Sequence, residues 1–260
     1  MQNNSTGIAL GFQVTVAATT VISLTIALWR TLYSFGDISV VSLIPLALLM
    51  LVGSYITILG ARRASLDSIL TETTGLRTLL KGRIISAILS LIITAGGIFL
   101  VAYKGLVSQP WEQIVGVSCV VSTSIIFLAA TRSLSSHVNQ KYLLSAATNV
   151  TVWIAGTVFF FVYLYALWNI QSHRAYLLSE SLPVSISLAL NELPQGYGFG
   201  AVLVEIATVV EVAKDWAVVN TQSIFTFSPI VYATYGAVFG YFQTRVISSV
   251  ICAILIMLKK

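Results

Sequence analysis

Five apolar runs, at about residues 7–29, 38–60, 84–103, 113–131 and 146–168, are each long enough to cross the hydrocarbon core of a bilayer. A backbone surrounded by lipid finds no water for its N–H and C=O groups, so it must satisfy them internally, as an α-helix or a closed barrel. The runs lack the two-residue alternation of barrel strands, which leaves helices. Their ends carry Trp29, Arg30, Lys104, Trp111, Arg132 and Trp168, side chains that anchor at the membrane–water interface. Composition agrees: charged residues make up 9% of the chain, against roughly 25% in a soluble domain. The sequence therefore predicts an all-α, polytopic membrane protein with residues 1–260 forming one transmembrane domain.

The final third is less regular. "NIQSHRAYLLSESLPVSISLALNELPQGYGFG", residues 169–200, holds His173, Arg174, Glu180, Glu192, Pro183 and Pro194, which a simple span does not tolerate. "AVLVEIATVVEVAKDW", residues 201–216, is apolar but interrupted by Glu205 and Glu211, and reads as a helix at the interface or dipping part-way into the membrane. Residues 170–223 are thus expected to form an outside loop with partial or re-entrant helices. The stretch from about 224 to 258 exceeds one straight crossing and contains Pro229 and Arg245, so it is expected to be kinked, or a half-helix plus a span, and to supply a sixth crossing.

Charge sets the expected orientation. With six spans and both termini cytoplasmic, Arg62, Arg63, Arg77, Lys81, Arg83, Arg132, Lys141, Lys259 and Lys260 fall inside. Arg30, Lys104, Arg174 and Lys214 fall outside, the bias of the positive-inside rule. The net charge of +5 therefore reports orientation and implies no nucleic-acid partner. The opening MQNNSTG lacks the basic region of a cleavable signal peptide, so the first run is expected to be a retained span. Cys119 and Cys252 each sit inside an apolar run and read as small buried hydrophobes.

Between the second and third runs lies the one densely charged segment, RRASLDSILTETTGLRTLLKGR, residues 62–83, with seven of the chain's charged side chains. Within it Leu66, Ile69, Leu70, Thr73, Leu76 and Leu80 recur at helical spacing. Two readings fit: an amphipathic helix on the cytoplasmic surface, capped at Ser65 and broken at Gly75, or a solvated loop.

The run ASLDSILTETTGLRTLLKGRIISAIL resembles the segment that follows the second span in membrane subunits of type-two ATP-binding-cassette exporters. Ala64, Ser65, Leu66 and Asp67 fall on the opening of that family's pattern, Ile69, Leu70 and Thr71 on its middle, and Gly82-Arg83 on its end. Ala64 stands where the family usually has glycine, Asp67 where it has glutamate, and Thr73 near a common proline. The resemblance implies that a separate cytoplasmic ATPase subunit grips a coupling helix over residues 65–80, with Arg63, Leu66, Asp67, Leu70, Glu72 and Arg77 as its contact set. It also implies a second permease chain, as a homodimer or heterodimer. The chain contains no G-x-x-x-x-G-K-[ST] phosphate loop, consistent with hydrolysis elsewhere.

Other classes find less support. Gly-Tyr-Gly at 196–198 is a triplet seen in potassium-channel filters, but Pro194-Gln195 replaces the preceding threonine-valine, and a turn between partial helices is the simpler expectation. Glu205 and Glu211 lie about 240° apart around a helix, so they share no face. As intramembrane acids they are candidates for substrate passage or gating, with an interfacial position the alternative. Arg245 poses the same choice: a gating residue, a partner for a carboxylate, or a side chain snorkelling to water. His137 and His173 fall on opposite sides, which excludes a shared haem, and no hydrolase cluster is recognisable, so neither cofactor nor catalytic residue is expected. Besides the exporter subunit, an ion channel or ion-coupled transporter and a non-catalytic subunit of a larger membrane complex remain open.

Overall fold

A computed structural model describes residues 2–69, 82–108, 110–169, 181–222 and 228–258. The described residues form nine α-helices and one 3-10 turn. They are α1 (Gln2–Leu32), α2 (Ile38–Val41), α3 (Ile44–Ile69), α4 (Arg83–Val107), α5 (Pro110–Leu134), α6 (Leu143–Asn169), α7 (Leu182–Asn191), α8 (Phe199–Gln222) and α9 (Ser228–Leu258).

Six segments are long and apolar enough to span a bilayer: Ala9–Phe35, Ile44–Asp67, Arg83–Val107, Glu112–Leu134, Gln140–Val162 and Ala237–Leu258. They alternate in direction, so the start of α1 and the end of α9 lie at one end of the bundle, here called the terminus end. The protein is an all-α, multi-pass membrane protein.

The last span is the hub. In its most apolar window 61% of residues are buried inside the protein, against 22–44% for the other five, and α9 packs on α1, α3, α4, α5, α6 and α8. The reason is local. A Cβ added at Gly53 of α3 would fall on the carbonyl oxygen of Ser249 in α9, so the two backbones touch where only glycine fits. Hydroxyls fasten the same level: Ser54 donates to Ser249 Oγ at 2.9 Å and Ser145 of α6 donates to the Thr57 carbonyl at 2.7 Å. Lipid offers helices no hydrophobic reason to associate, so close small-residue packing and interhelical hydrogen bonds hold them together.

Two expectations from the sequence are corrected. No new helix starts at Ser65, because α3 runs unbroken through Arg62–Ile69: no proline and no further glycine follows Gly60, and nothing there stops a helix. Residues 70–81, which hold Leu70, Glu72, Gly75 and Arg77, lie outside the described residues. Within the described residues of the 224–258 stretch, Ser228–Leu258, there is no half-helix followed by a separate span: α9 is one helix of 31 residues. Pro229 is its second residue, in the first turn, where a missing N–H breaks no helical bond.

The crossing of α3 and α9 makes a prediction. Gly53→Ala should destabilise the detergent-solubilised protein by about 1–3 kcal/mol, the usual range for overpacking. Gly116→Ala, whose Cβ meets nothing within 4 Å, should not. Thermal melts of both variants check this, and equal melting temperatures would contradict the contact.

Candidate functional site

At the far end of the bundle, α4 and α5 are joined by a link of only two residues; both touch α1 and α9, but α4 packs chiefly on α3 and α5 chiefly on α6. Their divergence opens a cavity of about 500 Å³, walled by α1, α4, α5 and α9, with Met50 of α3 at its floor. The deeper wall is apolar, with Ile22, Ile26, Val101, Val120, Val246 and Ile247. Toward the far end it carries Arg30, Lys104, Glu112, Gln113 and Gln243.

The Lys104 ammonium lies 3.4 Å from Glu112 Oε1 and 5.9 Å from the centre of the Phe239 ring. Gln113 donates to the Ser108 carbonyl at 3.4 Å, tying the turn between α4 and α5. Arg30 and Lys104 against Glu112 leave this mouth with one excess positive charge. A mostly apolar chamber of a few hundred Å³ with a few convergent polar groups is the usual form of a small-molecule site. Its shape and charge suit an amphiphile: apolar tail inside, anionic or polar head at the mouth.

One wall of this end is built by α8. Asp37, in the turn before α2, accepts a hydrogen bond from the Phe199 N–H at 2.6 Å and so secures the first turn of α8. Gly198 just before it has φ +79°, the left-handed conformation glycine adopts without strain, and the Gly-Tyr-Gly stretch is a link between α7 and α8. Ala201 and Val204 then pack with Trp29, Tyr33, Leu43 and Ala102. Trp29 is fully buried and donates its indole N–H to the Ala102 carbonyl at 2.9 Å, joining α1 to α4.

The residues singled out in the sequence separate into four places. Arg63, Leu66 and Asp67 occupy the last turns of α3 at the terminus end, with Arg63 exposed. There Asp67 accepts hydrogen bonds from Lys141 Nζ at 3.2 Å and from the Tyr142 hydroxyl, which ties α3 to the start of α6. Leu70, Glu72 and Arg77 are outside the described residues. Glu205 is exposed on α8 and Glu211 half-buried there, on the helix whose inner face is Ala201, Val204, Ala207, Thr208 and Val212. Arg245 faces α3 and α6, away from the cavity, and donates to Asn149 Oδ1 at 3.0 Å and Thr57 Oγ1 at 3.4 Å.

Among the described residues the structure therefore brings Arg245 together with neither glutamate and pairs it with no carboxylate. Sequence reasoning missed the cavity. The only signals were Gly105 and Gly116 flanking the link between α4 and α5, too sparse to reveal two diverging helices.

No family model matches the chain, and neither a curated protein nor a solved structure is significantly similar to it.

The α8 anchor is directly testable. Asp37→Ala should cost about 1 kcal/mol, as lost helix caps do, and speed hydrogen exchange of amides 199–202, while Asp37→Asn, which keeps an acceptor oxygen, should fall between. Unchanged exchange in the alanine variant would show that Asp37 does not hold the helix.

Proposed function

We propose that the chain is the membrane subunit of an ATP-driven exporter of amphiphilic molecules, oriented with both termini and the 62–83 segment in the cytoplasm of a cell whose plasma membrane it spans. A separate ATP-binding-cassette subunit hydrolyses ATP. One chain supplies half of a translocation pathway, and a second permease chain, identical or related, supplies the other half.

The observation that carries this reading is a continuous mechanical path from the charged segment to the cavity. The segment leaves α3 at Ile69, and Asp67, two residues earlier, is bonded to Lys141 and Tyr142 in the turn that leads into α6. Among the described residues α6 makes its most extensive packing with α9, and Phe239, Gln243, Val246 and Ile247 of α9 line the cavity. A push on residues 62–83 thus moves α3 and α6 together, and α6 moves the cavity wall. Packed helices pass on such displacements because their side chains interlock at near-crystalline density.

Each partner has a part. The ATPase would bind the exposed end of α3 and the residues that follow, through Arg63, Leu66, Leu70, Glu72 and Arg77. Asp67 acts as a tie between helices instead of a contact. Glu205 and Glu211 lie at the far end on α8, where a role in releasing the transported molecule is the form the gating reading takes. The basic excess at the terminus end supports the orientation. A second reading, a subunit of a larger membrane assembly, is favoured by a polar seam between α6 and α9.

The test is ATP hydrolysis by the complex purified from native membranes and stimulated by a single-chain amphiphile such as lysophosphatidylglycerol. Gly116→Trp, which fills the cavity, should abolish stimulation while leaving the ATPase bound. Asp67→Ala should lower stimulation several-fold with the ATPase still bound. Failure of any ATPase to copurify with the unaltered chain, or full stimulation after filling the cavity, would refute the proposal.

A further inference from the structure

The outer surface of the bundle is not uniform. On α4 the side chains facing the membrane are Ile84, Ile88, Leu91 and Ile92, each more than half exposed, as lipid contact requires. Along the seam between α6 and α9 the pattern changes. Asn149, Trp153 and Thr157 recur every four residues on α6 and are all exposed, Trp153 by 69%. Tyr241 and Arg245, also four apart, meet them from α9.

These residues form a connected row. The Thr157 and Tyr241 hydroxyls are 2.8 Å apart, the Trp153 and Tyr241 rings meet edge-on at 5.4 Å, and Arg245 donates to Asn149. Polar side chains within a bilayer normally face the protein interior. Here Asn149 and Thr157 lie on its outside, with Tyr241 and Arg245 half-buried beside them.

Arg245 is the centre of this row. Thr57, which Arg245 also bonds, is ten residues (67 − 57) from the Asp67 end of the helical span Ile44–Asp67, about 15 Å at 1.5 Å per residue. That places the guanidinium near the middle of a hydrocarbon layer about 30 Å thick, beyond reach of phosphates at the surface. Its bonds to Asn149 and Thr57 use two of five N–H donors and supply no negative charge. The only acid on the three helices around it is Asp67, at the end of α3 and bonded to Lys141 and Tyr142; no Asp or Glu occurs at 38–66, 113–179 or 216–260.

We propose that the seam between α6 and α9 docks a transmembrane helix of a different chain, which places an Asp or Glu at mid-membrane depth against the guanidinium of Arg245. Charge selects this occupant. A second copy apposed through the same seam would bring another guanidinium and no acid, and a lipid head group would stay at the surface. Arginine favours such a pairing because its planar fork donates to both oxygens of one carboxylate. The surrounding Asn149, Trp153 and Thr157 would contact the incoming helix, and each carries a group that can hydrogen-bond it. This site is independent of the exporter reading and lies on the face of α9 opposite the cavity.

The test uses the full chain in phosphatidylcholine vesicles at pH 8 with a fluorescent oligo-leucine helix bearing one central Asp, read by energy transfer from label on the protein. The Asp helix should bind at least tenfold tighter than its all-Leu counterpart. Arg245→Leu should remove the difference and Arg245→Lys should keep most of it, with thermal melts confirming that both variants fold. Equal binding of the two helices overturns the proposal, as does preference for the Asp helix that survives Arg245→Leu. So does loss of the preference on adding phosphatidylglycerol, which would make a lipid the anion, or efficient copy-to-copy cross-linking through Asn149→Cys, which would make a second copy the occupant.

Discussion

Backbone contact between α3 and α9 at Gly53 and Ser249 is the constraint on which the remaining packing depends. Soluble bundles are drawn together by the expulsion of water, a force missing between helices already dissolved in lipid. A crossing close enough for hydroxyls to bond from helix to helix replaces it, and Ser54, Thr57, Ser145 and Ser249 cluster at that level. With α9 fixed against α3, α6 can lie along its other flank, and the remaining spans surround the pair. The most buried span is accordingly the last in the sequence.

One helix thereby serves two surfaces. Residues 239, 243, 246 and 247 of α9 line the cavity, while residues 241 and 245, on the other side of the same turns, form the seam with α6. A displacement of α9 relative to α6 alters both together. A partner helix held at Arg245 would restrain the wall of the chamber, so assembly and the proposed transport cycle are mechanically linked through α9. The bond of Asp67 to Lys141 and Tyr142 adds the third element, since it carries motion of the α3 end into α6.

The crossings were legible because a run of about 20 apolar residues has one physical solution in lipid. The placements of the first five followed from run length and from the Trp and basic residues at their ends. Boundaries at polar helix ends were not: α3 continues past Arg62 and Arg63, since charged side chains leave a membrane without ending a helix, and only a cap, glycine or proline would have stopped it. Pro229 misled in the opposite way, because proline opens a helix as readily as it kinks one. The site was the least legible part. Arg245 stood out as a charge in an apolar run, but its partners Thr57 and Asn149 lie 188 and 96 residues away in sequence and are unremarkable there. The cavity arises from the divergence of α4 and α5, a tertiary property with no periodic signature.

The central claim is a six-span bundle that presents the end of α3 and the link between α5 and α6 on one side of the membrane and the turn between α7 and α8 on the other. Sided labelling of single cysteines tests it most directly, in a chain whose buried Cys119 and Cys252 are replaced by alanine. With Ser136→Cys and Gln195→Cys, both at exposed positions, a membrane-impermeant maleimide added to intact cells should label position 195 alone and reach position 136 only after permeabilisation. Labelling of both positions from the same side would contradict the bundle.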